Sequence, residues 1–261
     1  MPILERDNAQ IYYEVYGNSE SALSAGSIVF AHGAGGNAAI WFNQIAHFAP
    51  QYQVVVFDHR CFARSPTQTP LSVHQFRDDL LGIMDVLEIE RAHLVGQSMG
   101  GFTVLRTTLD QPDRVASLTM SATSGGIKNP NPSPAFRALT TSSGRSTDGV
   151  KASMSAATAS QPALMQLYES INNFNQAFSW EKLGTLLTPE DVVHYTDLKQ
   201  VSTRTLFIAG NEDPLFPAEQ LGPMAEQFPH GHLVVVEDAG HSPYFEQPNV
   251  FNQILAAHLE G

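Results

Sequence analysis

Six short aliphatic runs constrain this chain more than any other feature. They lie at 27–31, 53–57, 92–95, 118–121, 205–209 and 233–236, and most end on Gly, Asp or His. Their apolar character is continuous rather than alternating, which fits strands buried on both faces of a parallel sheet. Helical spacing fills the intervals. Between 73 and 87, Phe76, Leu80, Met84 and Leu87 recur at steps of four, four and three, forming one apolar stripe. Asp78 and Asp79 fall off that stripe, onto what reads as a solvated face. A last helix is expected over 250–259, and 10–15 reads as an edge strand in an N-terminal hairpin. Strand alternating with helix predicts an α/β, doubly wound, mostly parallel sheet.

The alternation stops between 123 and 201. The first part of this stretch, through Ser160, is rich in Ser, Ala, Thr, Asn, Gly and Pro. The second carries Leu164, Leu167, Tyr168, Ile171, Phe174, Phe178 and Trp180 at helical spacing. A structureless loop of that length is uncommon inside a compact domain. The expectation is a core of residues 1–122 and 202–261 with a helical lid, 123–201, inserted between two strands. Tyr168, Phe178 and Trp180 are expected to line a substrate pocket from that lid.

Composition limits the partners. The formal charge, 14 − 26 = −12, argues against phosphate backbones and anionic membrane surfaces, so neither nucleic acid nor membrane is expected. Cys61 is the single cysteine, which excludes an internal disulfide. Charged residues in MPILERDNAQ stand where a leader peptide needs apolar ones, and the longest apolar runs are too short to span a bilayer. A cytoplasmic protein is expected, with monomer or homodimer left open.

Two glycine motifs follow strands. Gly33-Ala34-Gly35-Gly36-Asn37-Ala38 fits the relaxed dinucleotide fingerprint, with Asp58 twenty residues further on. Gly96-Gln97-Ser98-Met99-Gly100 is a G-x-S-x-G sequence between a strand and a helix. Such a turn strains the backbone and lifts a serine hydroxyl out of the sheet, and its close neighbours must lack side chains. A serine nucleophile needs a base. His241 lies in Gly240-His241-Ser242-Pro243, past the last strand and on the same sheet edge as Ser98. The orienting carboxylate should also follow a strand. Asp213 is the candidate, with Glu212 and Asp238 as weaker ones.

Taken in order, His32-Gly33, Asp58-x-Arg60 with Ser65, Gly96-Gln97-Ser98-Met99-Gly100-Gly101, Gly210-x-x-Asp213 and Gly240-His241-x-Pro243 resemble the α/β-hydrolase superfamily, in its small esterase, lactonase and C–C hydrolase branch. The resemblance implies a Ser98–Asp213–His241 triad and an oxyanion hole built from the Ala34 and Met99 amides. It assigns the first glycine motif to that hole rather than to a dinucleotide. One departure stands out: the family pattern Asp-x-Arg-Gly-x-Gly-x-Ser has Cys61 and Ala63 here in place of its two glycines. Cys61 reads as a small residue filling a turn, in preference to a reactive thiol beside His59.

The activity implied is a serine hydrolase acting on a carboxylic ester or lactone through an acyl-enzyme on Ser98. Alternatives are a C–C bond hydrolase, or a cofactor-free perhydrolase or haloperoxidase, using the same triad. A ligand-binding receptor on this fold is the alternative from another class. Serine at the elbow, where dehalogenases and epoxide hydrolases carry aspartate, argues against those chemistries. No cofactor is expected and no metal, since neither Gly-Lys nor His-Glu-x-x-His occurs and His230-Gly231-His232 sits in an ordinary strand entry.

Overall fold

The computed structural model describes residues 2–17, 25–67, 70–141, 153–176 and 183–261. Eight strands form one sheet: β1 (Ile3–Arg6), β2 (Ala9–Tyr16), β3 (Ser27–Ala31), β4 (Gln53–Phe57), β5 (Ala92–Gln97), β6 (Val115–Ser121), β7 (Thr205–Gly210) and β8 (Gly231–Val236). Their order is β1-β2-β4-β3-β5-β6-β7-β8. The two pairings of β2 are antiparallel and every other pairing is parallel.

Alternate residues of the central strands serve opposite faces. Val29, Val55, Phe57, Leu94 and Phe207 pack with Leu80 and Ile83 of α2 (Val73–Val86), Val104 and Leu105 of α3 (Met99–Asp110), and Leu221. Ile28, Phe30, Val54, Val56 and Ile208 pack on the other face with Phe48 of α1 (Phe42–Phe48) and Phe251 and Leu255 of the last helix (Pro248–Glu260). Coverage on both sides is why these runs carry no polar alternation.

Two details correct the expectations. Residues 10–15 do not form the sheet edge, because Ile3–Arg6 pairs with their outer side. That strand is four half-exposed residues, too short to leave an apolar run. Asp79 is not solvated either. It is buried, paired with the buried Arg60 that arrives from the turn after β4. Helical periodicity records which residues cover the sheet, not which partner a distant turn delivers.

Between β6 and β7 the described residues form α4 (Pro134–Thr141), α5 (Ala156–Ala159), α6 (Pro162–Asn172) and α7 (Tyr195–Leu198). A parallel bridge between Ile127 and Val193 draws the two ends of this excursion together.

Candidate active site

Ser98 occupies the turn between β5 and α3 with φ +50° and ψ −114°. Close packing forces that conformation. A Cβ on Gly100 would lie 2.0 Å from the Ala31 carbonyl oxygen, and one on Gly96 would lie 2.5 Å from that of Gly100. The Ser98 amide donates to Ser121 O at 3.0 Å, and its carbonyl accepts the Thr123 hydroxyl at 2.6 Å. The strained turn is therefore held from β6 and from the residues following it.

Asp213 follows β7 and is buried. Its Oδ1 accepts the amides of Leu215 at 2.8 Å and Phe216 at 3.2 Å, and its Oδ2 faces His241 Nδ1 at 3.0 Å. An ionised carboxylate only accepts, so Nδ1 donates and Nε2 keeps its lone pair. The imidazole stacks on Phe216, centroids 5.7 Å apart at 20°. The other two acids are engaged elsewhere or exposed: Glu212 accepts the Ala156 amide at 2.8 Å, and Asp238 is solvent-exposed.

Sequence reasoning missed the groups that fix the His241 loop. Gln97, beside the serine, donates through Nε2 to His241 O at 2.9 Å. The His241 amide donates to Ser153 O at 2.7 Å. Buried Glu246 accepts the amides of Gly240 and Ser242, each at 3.0 Å, through Oε1, and that of Ser155 at 2.8 Å through Oε2. One carboxylate thus clasps both neighbours of His241 and the start of α5. Glu246 stands four residues after Ser242, and no residue type in the sequence marks the main-chain amides it accepts.

The glycine loop 33–37 adjoins the serine, since a Cβ on Gly33 would come within 3.0 Å of Ser98 Cβ. Ala34 and Met99 belong to one apolar cluster with Phe62, Leu71 and Phe76. The Met99 amide opens α3, where first-turn N–H groups have no helical acceptor. His32 fixes the loop: its Nε2 accepts the His59 amide at 3.0 Å, so Nδ1 carries the proton and donates to Gly33 O at 2.8 Å. Burial pulls the His32 imidazole down to about 4, which keeps it neutral. Asp58 closes the loop's far end, accepting the Ala38 amide at 2.7 Å and the Arg64 amide and guanidinium. Its two oxygens are thus committed to the protein, which argues against a ribose partner for this carboxylate.

Tyr168 is buried, edge-on to Phe245 at 4.9 Å, with its hydroxyl 3.2 Å from that of Ser242. It therefore reaches the residue next to His241 from within a packed cluster. Phe178 and Trp180 lie outside the described residues. Among the described residues no group of three or more His, Cys, Asp or Glu side chains could hold a metal ion.

Over residues 28–254 the chain matches the Alpha/beta hydrolase family. The putative carbamate hydrolase RutD of Stutzerimonas stutzeri (strain A1501) is 27% identical over 261 residues, covering 95% of this chain and 96% of that protein. Among solved structures, one described as Est816, an N-acyl homoserine lactone degrading enzyme, superposes with a TM-score of 0.83 at 27% identity, covering 98% and 99% of the two chains. An enol-lactonase from Burkholderia xenovorans LB400 has the same fold, with a TM-score of 0.81 at 20% identity over the whole of both chains. With the sheet order, the strained serine turn and the extent of that family match, the chain belongs to the α/β-hydrolase family.

Proposed function

We propose that this hydrolase cleaves a carboxylic ester or lactone through an acyl-enzyme on Ser98. The observation that carries the reading is the 3.0 Å contact of buried Asp213 with His241 Nδ1, in a loop that Gln97 ties to the serine turn. His241 Nε2 takes the Ser98 proton as Oγ attacks the carbonyl carbon. Asp213 holds the tautomer and stabilises the imidazolium. The Ala34 and Met99 amides receive the developing oxyanion, each such donor supplying about 3 kcal/mol. Collapse expels the alcohol oxygen, which takes the proton from His241. Water then loses a proton to the same nitrogen and adds to the acyl carbonyl, and the second collapse breaks the bond to Ser98 Oγ, which takes that proton back from His241 as the acid leaves.

The substrate side rests on likeness. Relatives described as acting on a carbamate and on an acyl homoserine lactone share a carbonyl bearing a heteroatom leaving group. That supports ester, lactone or carbamate cleavage over cleavage of a C–C bond. The described parts of 123–201 serve as the lid in this reading, because Ser153 and Ser155 meet the His241 loop and Asn37 and Asn175 join the end of α6 to the loop 33–37. Turnover of p-nitrophenyl acetate tests the reading. Ser98→Ala should lower kcat by several orders of magnitude; a purified variant with undiminished turnover sinks it.

A further inference from the structure

Asn175 lies three residues beyond α6, far from the sheet edge in sequence, and its amide group reaches three backbone atoms of the core. Nδ2 donates to Gly35 O and, at 3.1 Å, to Gly36 O. Oδ1 accepts the Ala63 amide at 3.0 Å. A second asparagine makes the reverse crossing: Asn37 Nδ2 donates to Ile171 O at 2.7 Å. The end of α6 is thereby fastened onto the glycine loop from both sides.

Peptide planes carry the consequence further. The carbonyl of Gly35 and the N–H of Gly36 belong to one rigid plane. That N–H donates to Gly33 O at 3.0 Å. Gly33 O and the Ala34 N–H belong to the next plane held in this way. Holding Gly35 O therefore fixes the Gly36 N–H, which fixes Gly33 O, which sets the direction of the Ala34 N–H. His32 Nδ1 holds Gly33 O from the other side at 2.8 Å. Gly35 sits at φ +88°, so the loop has a residue free to rotate if its carbonyl is released.

We propose that Asn175 is a positioning residue for the oxyanion hole, acting from the lid on the Ala34 amide through two peptide planes joined by the Gly36-to-Gly33 hydrogen bond. This rests on the serine-hydrolase reading above. Asn175 touches no reacting atom. Its donors orient, and along a hydrogen-bonded chain also polarise, the group that does. A lid that shifts away from the loop takes the donor with it, so the hole is complete only with the lid seated.

The test compares Asn175→Ala and Asn175→Asp with the unsubstituted protein. Asn175→Asp keeps an acceptor for the Ala63 amide but sets a carboxylate against two carbonyl oxygens. For both variants kcat on p-nitrophenyl acetate should fall by about 10- to 100-fold, with KM within about threefold. Affinity for phenylboronic acid, whose serine adduct bears an anionic oxygen, should fall in parallel with kcat. A fall in melting temperature with kcat and boronate affinity intact would overturn the proposal. So would a near-wild-type Asn175→Asp beside a damaged Asn175→Ala, which would assign the effect to the turn at Ala63. If Ser98→Ala retains activity and the boronic acid fails to inhibit the wild type, the parent reading has failed. If both behave as expected and the Asn175 variants do not, only this proposal has.

Discussion

Arg60 and Asp79 form a two-pronged ion pair with neither side chain in solvent: Nε meets Oδ2 at 2.6 Å and Nη2 meets Oδ1 at 2.7 Å. The pair joins the turn after β4 to the middle of α2. Removing Asp79 leaves the buried guanidinium with only the exposed Asp7 carboxylate, 3.6 Å away, so Asp79→Ala should cost about 3 kcal/mol, the low end for breaking a buried pair. Replacing both by Met and Leu should restore most of it. Urea unfolding midpoints of the three variants, at constant m-value, check this; a cost under about 1 kcal/mol for Asp79→Ala would refute it.

The turn holding Arg60 contains two non-glycine residues in left-handed conformations, Cys61 at φ +72° and Ala63 at φ +36°. The family's usual glycines at these positions are replaced, yet the backbone keeps the shape that glycine permits. Ala63 is only half-buried, so Ala63→Gly should raise stability by about 0.5–1 kcal/mol, or roughly 1–4 °C in Tm. Cys61→Gly should gain little, because it also empties a buried apolar site. Parallel melting curves distinguish the two.

Asp213→Asn keeps an oxygen for the Leu215 and Phe216 amides but turns an N–H donor toward His241 Nδ1. The imidazole must then carry its proton on Nε2, where it cannot accept from Ser98. The expected result is a fall in kcat of about 10³–10⁴-fold with KM little changed. Steady-state kinetics would oppose this if kcat dropped less than about tenfold.

Acid should weaken the fold before it protonates most carboxylates. Burial pulls His32, His93 and His258 each down to about 4, with nearby arginines adding to the effect at the last two. Their unfolded counterparts titrate near 6.5, so between those values the unfolded chain binds more protons. The stability these three histidines contribute is full above about 6.5 and declines as pH falls toward 4, opposed only in part by Asp79, whose carboxyl burial raises to about 6. Melting temperatures across this range check the slope. His93→Gln should flatten it, since a neutral side chain can still meet the Ser117 hydroxyl that His93 Nδ1 contacts at 2.8 Å.

Much of this molecule is readable from residue order because the demands are local. Continuous apolar runs announce strands covered on both faces. The serine turn needs glycines at 96 and 100 for steric reasons confined to a few residues. Asp213 and His241 follow strands, so topology alone brings them to one edge. Asn175, Gln97 and Glu246 are different. Their partners are main-chain amides and carbonyls, most from distant segments and, for Glu246, two from its own loop, and such contacts impose no residue type on the partner. Asp79 was misread for a related reason: its burial depends on a guanidinium supplied from another element.

The Glu246 carboxylate bears on how this scaffold can be altered. Exchanging residues 153–176 for the corresponding piece of another hydrolase would also risk displacing the Ser155 amide and the Ser153 carbonyl, which hold the His241 loop. On the proposed mechanism, a graft that moves the backbone at Ser153 or Ser155 would shift His241 away from Asp213 and Ser98, so the junction for any such chimera belongs after Ser155.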